Sequence, residues 1–133
     1  MTIHRSGGGP TNRAPEATFT GDVQISGYFR REAPSRLAGA VATFAPGART
    51  PWKVNPLGQT LVVTSGAGWA QVEGEDVIDV GPGDVIWCPP GQRHWEGATP
   101  DQAMSYVAVH EQSVEFGERV TDEEYRQGPA RAS

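Results

Sequence analysis

Cysteine is almost missing from this chain: Cys88 is the single thiol in 133 residues. No intramolecular disulfide can form, which excludes a small secreted scaffold held by cross-links and fits a reducing compartment. Cys88 reads as a small buried hydrophobe, with a nucleophile as the alternative. Positive charge is also scarce. Eleven Lys and Arg face sixteen Asp and Glu, a net charge of −5, and no basic stripe with interleaved aromatics offers a nucleic acid anything to grip. Long apolar runs are absent as well. No stretch approaches the roughly 18 residues of a membrane span, and the first seventeen residues lack the apolar core of a signal peptide. The expectation is a soluble cytoplasmic protein without nucleic-acid or membrane partners.

Helical periodicity is equally rare. Seventeen Gly and eleven Pro suit short strands joined by tight turns. Alternating or apolar runs occur at 23–29, 37–44, 59–64, 68–72, 76–80, 85–88 and 104–110, and turn signals such as Gly81-Pro82-Gly83-Asp84 and Pro89-Pro90-Gly91 separate them. With no crossover helix between strands, an all-β antiparallel sandwich or closed barrel is predicted. One short C-terminal helix is predicted over 120–126, with Thr121 or Asp122 as N-cap. Residues 1–17 read as an arm that is flexible unless a neighbouring subunit orders it, 18–127 as one domain, and 128–133 as a fraying tail. His4, in the arm, reads as an ordinary solvated histidine.

Two spaced motifs sharpen the fold. From Gly47 to Gly66 the chain follows the pattern Gly, five residues, His-X-His, three or four residues, Glu, six residues, Gly, but with Lys53, Asn55 and Gln59 at the three ligand positions. From Gly83 it follows Gly, five residues, Pro-X-Gly, two residues, His, three residues, Asn, met by Gly83, Pro89, Gly91 and His94, with Ala98 at the Asn position. Sixteen residues lie between them. Either motif alone is weak in a chain so rich in Gly and Pro, but two in order are specific. The chain therefore resembles the small single-domain cupins, in particular the group containing the manganese-dependent cupin hydroxynitrile lyases. The resemblance implies a jelly-roll-like β-barrel, usually paired into a homodimer with the arm crossing to the partner. It also implies a divalent metal inside the barrel, held at the positions of Lys53, Asn55, Gln59 and His94.

Two of those four ligands are replaced here. A protonated Lys53 has no lone pair, and Asn55 and Gln59 offer neutral amide oxygens. The expectation is no cofactor and no metal; if one is retained, its ligands would be His94, Gln59 and His110. Alternation puts residues 53 and 55 on one face, so Lys53 either stabilises developing negative charge, acts as a neutral amine, or snorkels out of the barrel. His94 reads as proton carrier or as a leftover ligand. His110 shares a face with Met104, Tyr106 and Ala108 and joins the site if that face is interior. Asn55, Gln59, Ala40, Ala42, Tyr106, Trp52 and Trp95 complete the expected substrate pocket, although tryptophans more often pack cores and interfaces. These residues predict acid and base chemistry on a small organic molecule, of lyase, isomerase or cyclase type. A metal-dependent lyase and a non-catalytic ligand-binding cupin are the alternatives.

Overall fold

A computed structural model describes residues 1–111 and 114–129. Among the described residues the elements are β1 (Thr11–Arg13), β2 (Val23–Arg30), β3 (Ala38–Phe44), β4 (Lys53–Val54), β5 (Gln59–Gly66), β6 (Gly68–Val72), β7 (Ile78–Val80), β8 (Val85–Cys88), β9 (His94–Ala98), β10 (Met104–His110), β11 (Glu115–Phe116) and α1 (Asp122–Arg126). They form two antiparallel sheets. One runs β1-β2-β3-β10-β5-β8 and the other β11-β4-β9-β6-β7.

Alternation along the strands sorts side chains into two clusters. Ala42, Phe44, Leu61, Val63, Cys88, Ala98, Met104 and Tyr106 belong to an interior cluster drawn from both sheets. Trp52, Val77, Trp95, Val120 and Tyr125 form a second one, against which Trp69 packs. The second cluster seats α1 on the five-stranded sheet. Thr121 caps that helix, accepting from the Glu124 amide while the Glu124 side chain accepts from the Thr121 amide, a reciprocal cap. Arg49 then ties it down: its guanidinium donates to Val120 O at 2.9 Å, meets Asp122 at 2.7 Å and lies 4.4 Å over the Tyr125 ring.

The expected runs at 68–72, 85–88 and 104–110 coincide with β6, β8 and β10. Four strands had no expected run: β1, β4, β9 and β11. β9 is buried along its whole length, so no polar residue alternates to the outside to mark its period. Two expectations at the ends need correction. Part of the arm belongs to the chain's own sheet, since Thr11–Arg13 pairs with β2 and Ala14 is buried. The tail does not fray at 128 and 129, because Pro129 bridges Val77 and Gly128 lies against Trp69; 130–133 lie outside the described residues. Among the described residues no helix is long and apolar enough to cross a membrane.

Candidate active site

Strand register assembles the site. Lys53 on β4 stands directly opposite His94 on β9, so both side chains leave the sheet on the same face. Two residues further along β9, on that same face, comes Glu96. The sequence reading passed over this residue. Lys53 Nζ donates to Glu96 Oε1 in a buried ion pair and lies 3.4 Å from Gln59 Oε1. The Tyr106 hydroxyl, arriving from β10 in the opposite sheet, donates to the same Glu96 oxygen at 2.7 Å.

Glu96 Oε2 is left facing His94 Nε2 at 3.6 Å. His94 Nδ1 sits 2.9 Å from Gln92 O, and a carbonyl oxygen only accepts, so Nδ1 carries the proton. In the neutral ring Nε2 is therefore a lone pair. Neither Nε2 nor Oε2 has a hydrogen-bond partner among the described residues. Two acceptors thus face one another across a gap that a proton, or a donor from a bound molecule, would close.

The electrostatics follow from this packing. Burial pushes the Glu96 carboxyl up, but the charge of Lys53, that of His94 when the ring is protonated, and the hydrogen bonds from Lys53 and Tyr106 outweigh it and hold the carboxyl below its ordinary value. Burial, together with the Glu96 charge and hydrogen bond, pushes the Tyr106 phenol well above its own. Burial and the Glu96 charge also push the Cys88 thiol up to about 12, against the opposing pull of Lys53. Glu96 is the ionised carboxylate of the cluster, and Tyr106 and Cys88 stay protonated.

His94 and Glu96 border a cavity of about 170 Å³ whose walls include Ala70, Val72, Ile86, Trp87 and Cys88. It is smaller than the roughly 300–1,000 Å³ of pockets for drug-sized ligands. The Trp87 indole lies against Gly58, whose φ of +84° suits glycine and where a Cβ would meet the indole at 2.4 Å. A wider groove between the arm and β2, lined by His4, Phe29 and Arg31 among others, brings no carboxylate to face the imidazole.

The other expected site residues divide. Lys53, Gln59 and Tyr106 join the cluster, but they stand behind Glu96 and do not border the cavity. Asn55 is fully buried. His110 pairs across strands with Gln59 and Ala38, and Ala40 and Ala42 pair with Ala108 and Tyr106; none of these borders the cavity. Of the two tryptophans expected as pocket walls, Trp95 borders the cavity and Trp52 does not. Trp52 packs in the cluster beneath α1, with Arg93 stacked 4.5 Å from its ring. Trp95 borders the cavity between its neighbours, but its indole turns to the other face, 5.8 Å from the Tyr125 ring and donating to Gln71 Oε1 at 2.8 Å.

The cation implied by the resemblance does not fit these residues. Lys53 brings an ammonium where the motif needs a lone pair, and Gln59 Oε1 is directed at that ammonium. The motif positions are left with two neutral amides and one imidazole around a fixed positive charge, a poor donor set for a divalent ion.

Comparison with known proteins agrees with the motifs. Residues 40–110 match the model of the cupin domain. The chain is 48% identical to a protein of Granulicella tundricola named (R)-mandelonitrile lyase, over 95% of this chain and 99% of that one. A cupin-like protein from Thermotoga maritima superimposes with a TM-score of 0.82 at 32% identity, covering 88% of this chain and 92% of the other. A polyketide cyclase from Streptomyces resistomycificus shares the fold alone, at TM-score 0.62 and 17% identity over 78% of this chain and 76% of that one. Motifs, sheet topology and these likenesses agree, and the chain belongs to the cupin domain family.

Proposed function

We propose that this cupin is a metal-independent lyase that cleaves a small α-hydroxy adduct of an aldehyde, with a cyanohydrin as the first substrate to test. One observation carries the reading: an ionised, buried Glu96 and the free Nε2 of His94 face each other at 3.6 Å on a small, mostly apolar cavity. The likeness to a protein named (R)-mandelonitrile lyase supports the substrate class.

His94 Nε2 takes the proton of the substrate hydroxyl. The O–H electron pair becomes the carbonyl π bond, the C–CN bond breaks, and cyanide leaves with the electron pair. The imidazolium formed is stabilised by Glu96 Oε2 beside it and then returns its proton to cyanide, so aldehyde and hydrogen cyanide leave and the enzyme is restored. Lys53 and Tyr106 act through Glu96 as positioning residues, keeping it ionised and turning Oε2 toward His94. The ion pair holds Lys53 as an ammonium, which favours this electrostatic role over a Schiff base, since that requires the neutral amine. The lyase reading is preferred to isomerase or cyclase chemistry because the cavity is small and the cyclase likeness extends to the fold alone. The proposal includes a cytoplasmic homodimer without nucleic-acid or membrane partners; a sedimentation mass of one chain would remove the dimer.

The test is aldehyde release from aromatic and aliphatic cyanohydrins by chelator-treated protein. Turnover should survive chelation, and Glu96→Gln and His94→Gln should each lower kcat by about 10²–10⁴-fold. Activity lost to the chelator and restored by manganese would overturn the metal-independent mechanism. Absence of turnover, with ligand binding retained, would favour a binding protein.

A further inference from the structure

Cys88 takes no part in the reaction above, yet it borders the same cavity. It ends β8, is buried, and brings its sulfur to the face that carries His94 and Glu96. One donor atom from each of Cys88, His94 and Glu96 lies within 4.8 Å of the others. Two of these side chains, 4% and 1% exposed, hold atoms with no hydrogen-bond partner among the described residues, His94 Nε2 and Glu96 Oε2. Sulfur, imidazole nitrogen and carboxylate oxygen are the donors that zinc-like cations select.

We propose that Cys88 Sγ, His94 Nε2 and Glu96 Oε2 form a site for one thiophilic divalent cation such as Zn²⁺, and that this ion competes with the reaction. The site is displaced from the motif positions 53, 55 and 59 toward the cavity. It uses the Glu96 oxygen that Lys53 and Tyr106 leave open, and its fourth coordination position faces the cavity. Zinc bonds of about 2.0–2.3 Å place tetrahedral ligands about 3.5 Å apart. His94 and Glu96 already stand at 3.6 Å, so side-chain rotation at Cys88 has about an ångström to close.

Charge decides why the thiol matters. Lys53 and Glu96 cancel, so a dication beside a neutral thiol would leave two uncompensated positive charges in a buried place. Binding instead forms a sulfur–metal bond and releases the thiol proton to solvent, one proton per ion, which halves that excess. The bound ion then covers both lone pairs that the proposed proton transfer uses. The binding rests on the donor set alone; the inhibition rests on the lyase reading.

The experiment titrates chelator-treated full-length protein with Co²⁺, which occupies zinc sites and reports thiolate ligation as a near-ultraviolet charge-transfer band. The expected result is a band saturating at about one ion per chain and bleached by Zn²⁺. Cys88→Ser, which preserves size, should lose the band and weaken Zn²⁺ binding more than about 100-fold, beyond the 10–100-fold that supporting partners carry. Whatever turnover the variant has should also be less inhibited by Zn²⁺ than that of the wild type. No thiolate band in the wild type overturns the site even if the variant fails to fold, as does an affinity unchanged in Cys88→Ser. Stimulation of turnover by Zn²⁺ overturns the competition. A normal band in protein that cleaves no cyanohydrin leaves the site standing and sinks the lyase reading instead.

Discussion

Replacing Lys53 with Met keeps an unbranched side chain of similar reach and deletes the charge. Lys53 and Glu96 are 4% and 1% exposed, so the carboxylate left behind has the Tyr106 hydroxyl, at 2.7 Å, as its remaining donor. Removing one partner of a buried pair costs about 3–5 kcal/mol, and that is the loss expected near pH 8. The protein relieves it at lower pH by taking up one proton, on Glu96 or on His94 beside it. In the wild type the folded Glu96 carboxyl lies below its ordinary value of 4.5. Its stabilisation is therefore complete above about pH 4.5 and is lost as pH falls through the folded value. In Lys53→Met the folded protein binds more protons than the unfolded chain, so the sign reverses. Stability is then greatest in mild acid and falls as pH rises, by about 1.4 kcal/mol per pH unit for one proton. Urea unfolding between about pH 5 and 8 reads this directly, with the wild type showing no slope from Glu96. Adding Glu96→Gln should recover most of the loss, because an amide carries no charge to bury. A cost under about 1 kcal/mol with no pH slope would refute the reasoning, since it would mean that Glu96 is neutral or solvated in the wild type.

Three further outcomes test the surrounding geometry. Tyr106→Phe removes a hydrogen bond to a charged group and should cost about 1.5–3 kcal/mol; because the folded Glu96 carboxyl then lies closer to its ordinary value, the acid loss of stability that Glu96 causes should be smaller and should level off at a higher pH than in the wild type, measured by the same unfolding series. Trp52→Ala should lose about 3–5 kcal/mol while the folded variant keeps the wild-type KM, because Trp52 packs under α1 and away from the cavity. A raised KM with little loss of stability would return Trp52 to the pocket wall. Thr121→Ala removes the reciprocal cap and should cost about 1 kcal/mol in urea unfolding, without altering turnover.

What was legible in the sequence, and what was not, follows from which signals are local. Glycines and prolines mark turns through their own backbone preferences, so Gly47, Gly66, Gly83 and Gly91, all at positive φ, announced the barrel's corners in one dimension. Helix α1 was equally local, because Thr121 and Glu124 make their cap within one turn. β9 was not, since a strand buried on both faces carries no alternation, and the motif drew attention to His94 and Ala98 at its ends. Glu96 lay between them. The roles of Trp52 and Trp95 depend on which face of the sheet α1 covers, and no spacing encodes that.

Lys53 alone already implies an anion close by. A lysine at a motif position that points into a barrel must lose its water, and an ammonium is kept charged there only by a buried anion. Reading Lys53 as interior therefore required a carboxylate on a facing strand. Among the residues near His94, Glu96 meets the condition: it lies two positions along, on the same face by the period of a strand. The cation that the family resemblance implies at this centre and the Lys53–Glu96 pair are then two solutions to one electrostatic problem. Each puts a cationic group inside the barrel, but a metal is drawn from solution, whereas Lys53 is part of the chain and its charge is cancelled by Glu96. Substituting either residue alone should therefore harm folding more than substituting both. The same coupling explains why reverting Lys53→His alone should not restore a metal centre: it would leave Glu96 without its ammonium and Asn55 still in place of a ligand.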